Sequence, residues 1–266
     1  VSFAPRPDVT RREGFLKLAR WYVRGKLRRS FDGVYLEGAA RVRALAAQGP
    51  LLIAANHVAW WDPLLAVRID EALGTESYAL MDRQNLGRLP FFGWLGAIPL
   101  DRTNARDSLA QLRAAATLLD GPGKVVWIFA QGEQRPAHLR PLGMKSGIAV
   151  LAEAAAVPIV PLAVNYLFRQ TEQPTALATF GEPILASGLR RRSLVHELEA
   201  AVEQGLAAID TFATTGAGNF VELAAPRRRG DTPALAKLLA PRSSSPPAPL
   251  RTLPSRGPSP EGTNTP

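Results

Sequence analysis

An α/β fold, its sheet covered by helices on both faces, is what this sequence predicts, and three observations carry that prediction. Short apolar runs of four to six residues, such as Leu51-Leu52-Ile53-Ala54-Ala55, recur between longer stretches of helical periodicity. Such runs are apolar throughout rather than alternating, as expected of strands buried on both faces. Hydrophobic residues make up 46% of the 266, enough for one sizeable core.

Taken in order, the first element is a helix over 13–29. Phe15, Leu18, Ala19 and Tyr22 follow helical spacing, with Leu16 and Trp21 widening the apolar sector among Arg12, Lys17, Arg20, Arg24, Lys26, Arg28 and Arg29. That pattern suits a helix lying in a lipid headgroup layer; it equally suits a helix packed on the protein's own core with its charges solvated. A strand over 51–55 is followed by a helix over 63–72, because Pro63 is well tolerated in a first helical turn and poorly tolerated further in. Strands follow over 77–81, 97–100 and 124–129, separated by a helix over 105–119. The stretch 145–156 reads as a helix with Ser146 in its opening turn, where serine is common for reasons of capping alone. Strands over 159–164 and 176–180 and a helix over 191–212 complete the pattern. Pro158 and Pro161 shape a strand entrance. From residue 241 the composition changes: eight prolines in the last 26 residues, with repeated serines, leave too little apolar surface to fold.

Charge divides the chain the same way. The excess of 32 basic over 23 acidic residues gives +9. Residues 1–30 hold nine basic and two acidic side chains and residues 226–266 hold seven and two, so the middle is slightly acidic. The expected organisation is therefore a basic amphipathic helix over 1–30 with possible membrane contact, a central domain over 31–225, and a basic Pro/Ser-rich tail over 226–266. A core without its own basic face argues against nucleic acid as a partner and favours a membrane surface. No run of eighteen apolar residues spans a bilayer, and the Arg-rich start lacks the apolar segment of a secretory leader. A peripheral protein on the cytoplasmic side of a membrane is the expectation. Cysteine is absent, which excludes disulfides and removes the usual ligands of a structural zinc site.

Chemistry concentrates at Asn56-His57-Val58-Ala59-Trp60-Trp61-Asp62-Pro63. On a regular helix His57 and Asp62 would lie about 140° apart. They meet only if the chain turns between the strand and the helix that Pro63 opens. A histidine beside an aspartate is a common structural pair. Placed at a strand end, it also suits general base catalysis: an unperturbed imidazole titrates near ~6.5, and a carboxylate fixes its tautomer and stabilises the imidazolium. No cysteine and no Gly-x-Ser-x-Gly is present, so direct attack by a hydroxyl that the histidine activates is more economical than a covalent enzyme intermediate. His57, Arg102 and the loop 131–135 each follow a predicted strand, where open α/β sheets bind ligands.

Several segments together resemble the glycerolipid acyltransferase family, which includes the 1-acylglycerol-3-phosphate acyltransferases. His57 and Asp62 match its His-x-x-x-x-Asp motif. The stretch from Leu86-Gly87-Arg88-Leu89-Pro90 to Asp101-Arg102 is similar to its Pro-x-x-Gly segment ending in Asp-Arg, and Val157-Pro158-Ile159-Val160-Pro161-Leu162 matches its fourth motif. Phe180-Gly181-Glu182-Pro183-Ile184 is a further echo. The third motif departs: where the family reads Phe-Pro-Glu-Gly-Thr-Arg, this chain has Phe129-Ala130-Gln131-Gly132-Glu133-Gln134-Arg135.

The resemblance implies a mixed sheet flanked by helices, of the glycerol-3-phosphate acyltransferase-like kind. It implies an O-acyltransferase that moves a fatty acyl group from acyl-CoA or acyl carrier protein to a lysophospholipid such as 1-acylglycerol-3-phosphate, in phospholipid biosynthesis. His57 and Asp62 would be catalytic, and Arg102, Gln131, Gly132, Arg135 and Lys145 would bind the acceptor, with no metal and no cofactor beyond the acyl donor. Arg102 can equally be a solvated loop charge paired with Asp101. Because glutamine at 131 lacks the charge of glutamate, the acceptor is open to a non-phosphate lipid such as a glycolipid, an ornithine lipid or a carotenoid glycoside. A catalytically silent membrane-binding homologue is the reading from another class.

Overall fold

The computed structural model describes residues 6, 7 and 9–226. Eight strands form one mixed sheet: β1 (Gly33–Glu37), β2 (Leu51–Ala55), β3 (Glu76–Asp82), β4 (Ala97–Leu100), β5 (Lys124–Phe129), β6 (Ile159–Phe168), β7 (Pro174–Phe180) and β8 (Val221–Ala224). Their spatial order is β4-β3-β5-β2-β6-β7-β1-β8. From β4 to β6 neighbours run parallel, so their carboxyl ends share one edge; β6 then pairs antiparallel with β7, and β8 antiparallel with β1. The sheet is thus mixed, as expected.

Helices cover both faces: α1 (Glu13–Ser30), α2 (Ala39–Gln48), α3 (Asp62–Leu73), α4 (Arg83–Arg88), α5 (Ala105–Ala116), α6 (Gly147–Ala155) and α7 (Arg191–Thr215). The period-two geometry of a strand sorts β2 between two cores. Leu52 and Ala54 face α5, α6 and α7, where Leu112, Ile148, Leu198 and Val202 close the layer. Leu51, Ile53 and Ala55 face the other way, toward Val23 and Leu27 of α1 and Leu65 and Ile69 of α3. Both faces being dry explains why the run is apolar throughout. Helix α7 approaches closely because residue 205 is glycine: a Cβ there would lie 2.6 Å from the Ala163 Cβ of β6.

Differences from the sequence-based boundaries have local causes. Helix α5 stops at Ala116 rather than 119, its last carbonyls taken up by i+3 bonds to Thr117, Leu118 and Leu119 before Gly121. Helix α6 starts at Gly147 rather than 145, and the Lys145 N–H before it is held by the Ala130 carbonyl at 2.8 Å. Helix α7 runs on to Thr215, where Gly216 caps it at φ 75°. Elements β1, α2, α4 and β8, and a 3-10 turn over Pro90–Leu95, go beyond the predicted set. The proposed tail beyond 226 lies outside the described residues.

Helix α1 packs one side on the protein's own core. Leu16, Val23 and Leu27 are buried, whereas Leu18, Trp21 and Tyr22 on the opposite side are exposed.

Where α3 ends, Asp70 turns its carboxylate inward. It accepts hydrogen bonds from Ser77 Oγ at 2.6 Å and Trp127 Nε1 at 2.8 Å. Burial pushes its carboxyl up to about 6, against the pull of these donors and of Arg11 and Arg20. A carboxyl raised in the folded state contributes stability that is complete below its unfolded pKa and lost as pH rises through the folded one. Between about pH 4 and 6, therefore, the folded state loses stability on this group's account. Asp70→Asn keeps the neutral form at every pH, so its stability relative to the parent, from urea unfolding, is expected to rise from pH 4 to pH 7. A difference that does not vary with pH would refute the burial argument.

Candidate active site

The carboxyl ends of β2, β4, β5 and β6 bring His57, Arg102, the loop 131–135 and Tyr166 to one edge of the sheet. Strand β2 ends at Ala55, and Asn56 continues its pairing by side chain. The Asn56 amide accepts from the Val164 N–H at 2.8 Å and donates to the Val164 carbonyl at 2.9 Å, standing in for a peptide group. The next residue, His57, leaves the sheet into the turn that leads to α3.

Asp62 begins α3 and closes that turn. Its Oδ2 accepts from the Val58 and Ala59 backbone N–H groups at 2.6 and 3.0 Å, and from His57 Nδ1 at 2.6 Å. Its Oδ1 accepts from Tyr166 Oη on β6 at 2.6 Å. The side chain is fully buried, whereas that of His57 retains 18% exposure. All four partners are donors to it, so both oxygens of the carboxylate act as acceptors. Burial and the Asp62 charge push the Tyr166 phenol well above its ordinary range, so it stays a donor. With Nδ1 committed to Asp62, the imidazole carries its proton there and presents Nε2, which has no hydrogen-bond partner among the described residues. The ring stacks on Phe129 at the end of β5, centroids 4.7 Å apart. The arrangement can take a proton at Nε2 and stabilise the resulting imidazolium.

The loop after β5 is fastened to the same turn. The Arg135 N–H donates to the His57 carbonyl at 2.8 Å, and the His57 N–H donates to Gln131 Oε1 at 2.6 Å. Gln131 Nε2 donates in turn to the Leu142 carbonyl at 2.7 Å. Both ends of this buried amide are taken by backbone, so Gln131 sits behind the loop as a brace rather than on the acceptor-facing surface expected of it. A glutamate could accept from His57 but could not donate to Leu142.

Arg135 is turned the same way: its Nη1 donates to the Leu142 carbonyl at 3.1 Å and lies where a Cβ on Gly143 would be. Arg102 and Lys145 do converge. Arg102 Nη1 donates to the Gly132 carbonyl, and a Cβ on Gly132, at φ 72°, would lie 3.3 Å from Arg102 Nη2 and 3.8 Å from Lys145 Cγ. Gly132 thus serves both a left-handed turn and the close approach of two exposed cations. Asp101 engages Thr103, with Arg83 at 3.9 Å, rather than pairing with Arg102.

The sequence therefore brings together His57 with Asp62, and Arg102 with Gly132 and Lys145. It gave no notice of Tyr166, which lies 104 positions from Asp62. Phe129 and Asn56 border the predicted motifs, and their position at strand ends was the available signal.

Residues 34–165 match the family model described as Acyltransferase. An uncharacterized acyltransferase of Schizosaccharomyces pombe is 28% identical over 152 residues, which is 51% of this chain and 54% of that protein. The chain thus spans about half the length of that curated relative. The crystal structure of the 1-acyl-sn-glycerophosphate (LPA) acyltransferase PlsC from Thermotoga maritima is similar with a TM-score of 0.55 over 73% of this chain and 79% of that one. At 16% identity this is a likeness of fold.

Removing one donor from the buried Asp62 carboxylate has a defined cost. Tyr166→Phe keeps the ring and deletes the hydrogen bond to Oδ1, and a bond to a charged group contributes about 1.5–3 kcal/mol. Urea unfolding at neutral pH is expected to show a loss in that range. An unchanged midpoint would mean that the phenol does not bear on the carboxylate.

Proposed function

We propose that this chain, of which residues 34–165 match an acyltransferase family model, transfers a fatty acyl group from acyl-CoA or acyl carrier protein to a hydroxyl of a lysophospholipid such as 1-acylglycerol-3-phosphate. The observation that carries this reading is His57, with Nδ1 bound to a buried carboxylate at 2.6 Å and Nε2 without a protein partner. In the reaction the acceptor hydroxyl oxygen attacks the thioester carbonyl carbon while its proton passes to His57 Nε2. The tetrahedral intermediate collapses with cleavage of the carbon–sulfur bond, and the departing thiolate takes the proton back. Asp62 stabilises the imidazolium between these steps. Arg102 and Lys145, both exposed beside Gly132, provide the charge for an acceptor phosphate, and an Arg fork is well shaped for that group.

In this reading the enzyme acts as a peripheral protein at the cytoplasmic face of a membrane. Exposed Leu18, Trp21 and Tyr22 on α1, Trp60 in the His57 turn, and Phe91 and Trp94 in the 3-10 turn before β4 support it, as amphipathic aromatics favour the membrane interface. Among the described residues no helix is long and apolar enough to cross a membrane.

A second acceptor class is favoured by one observation. Gln131 and Arg135 of the divergent third motif both turn to the Leu142 carbonyl, which leaves fewer cations for a phosphate and suits a glycolipid, ornithine lipid or carotenoid glycoside.

Purified protein given labelled acyl-CoA or acyl carrier protein with a panel of acceptors separates these cases. His57→Ala is expected to lower turnover by about a hundredfold to ten-thousandfold; unchanged turnover would remove the base assignment. No product with any acceptor would favour a silent homologue. Arg102→Ala is expected to raise KM for phosphate acceptors by roughly tenfold to a hundredfold, the worth of a charge-assisted hydrogen bond, and to leave uncharged acceptors little affected. An equal rise with both would make Arg102 structural.

A further inference from the structure

A groove of about 590 Å³ lies away from the His57 site, between the outer side of α1, α3 and the edge strand β8. Four arginines line it: Arg24, Arg28 and Arg29 from α1 and Arg68 from α3. Trp21 and Tyr22 stand at its mouth, 68% and 53% exposed. One carboxylate, Glu71, compensates part of this charge, 3.7 Å from Arg24 and 3.1 Å from Arg68. Arg28 and Arg29 have no acidic partner among the described residues. Arg68 donates Nη2 to the Leu223 carbonyl at 2.6 Å, while its Nε is buried without a hydrogen-bond partner. A buried donor left unmade is costly, and so is a set of like charges at close quarters. Together these groups suit an anion with several acceptor oxygens.

We propose that this groove seats the phosphate of an anionic phospholipid in the membrane surface, at a site separate from the acceptor pocket. Arginine forks match phosphate oxygens geometrically. The aromatics beside them have the amphipathic character that favours the headgroup layer, and this decides between a lipid and a soluble acidic protein as occupant. The site is linked to the chemistry by short paths. Arg68 lies six residues along α3 from Asp62, and Lys26 of α1 lies 5.8 Å from the Trp61 ring in the His57 turn. A lipid held here orients α1 and places the acceptor edge against the bilayer. The inference rests on the membrane-surface reading, but its own content is local: the phosphate is read by the α1 groove and not by net charge.

Sedimentation with vesicles of phosphatidylcholine alone, or with phosphatidylglycerol added, tests it on the full chain. Arg28→Ala/Arg29→Ala removes two exposed charges from the groove. Arg106→Ala/Arg113→Ala removes the same charge from α5 on the other face of the sheet. Each basic residue near an anionic surface contributes roughly fivefold, so the groove variant is expected to bind phosphatidylglycerol vesicles about 25-fold more weakly. The α5 variant should bind them as the parent does. Circular dichroism confirms that both variants are folded. Equal losses in the two variants would overturn the groove while keeping a charge-driven membrane reading. Equal binding of the parent to neutral and anionic vesicles would also overturn it, leaving only apolar contact. No binding to any vesicle would defeat the membrane reading itself. Inorganic phosphate at millimolar concentration should not compete with vesicles; full competition would assign the groove to a free phosphate. Tighter capture of an acidic carrier protein than of vesicles would assign it to that partner instead.

Discussion

The site depends on satisfying one carboxylate held out of water. An isolated charge in a protein interior is too costly to persist, and it is retained only where enough donors replace its hydration. Asp62 receives four: two backbone N–H groups of its own turn, the His57 ring and the Tyr166 hydroxyl. These donors come from two parts of the fold, the turn that follows β2 and the far end of β6, and they meet the carboxylate at the start of α3. Bringing them within hydrogen-bond reach requires the parallel pairing of β2 with β6 and the placement of α3 against the sheet. The fold and the orientation of the histidine are consequently the same problem. The turn cannot relax without leaving a buried charge short of partners.

The most legible parts of the sequence were those governed by local chemistry. Continuous apolar runs marked β2 and β5 because both faces of those strands are dry, and Pro63 marked the beginning of α3. The spacing of His57 and Asp62 was readable because the turn between them is short. Contacts closed by distant residues were silent: nothing near Tyr166 indicates that β6 ends beside Asp62. The edge elements were missed for a different reason. β8 reads Val221-Glu222-Leu223-Ala224, with its first two residues exposed and the fourth buried, so it has too little apolar content to register as a strand. Helix α2 is rich in alanine and only weakly amphipathic, with Val42 and Ala46 its buried residues.

The third motif shows how a departure in sequence can be absorbed by a different job for the side chain. Gln131 bridges the His57 N–H and the Leu142 carbonyl, a task that needs an acceptor and a donor on one side chain. Its neutrality is then a condition of that bridge. The cations that remain at the surface of this edge, Arg102 and Lys145, come from other segments and are gathered by the tight turn at Gly132.

Asn56 has a consequence for how accurately this edge is built. By bonding both polar groups of Val164, its amide carries the β2–β6 ladder one step past the last paired backbone residues, Ala55 and Leu162. His57 follows Asn56 directly, and Tyr166 is two residues beyond Val164. The histidine and the tyrosine that grip opposite oxygens of the same carboxylate are thus both surveyed from one amide. Their separation is set by the tolerance of two hydrogen bonds, a few tenths of an ångström, and is insulated from changes in the lengths of the loops that leave this edge.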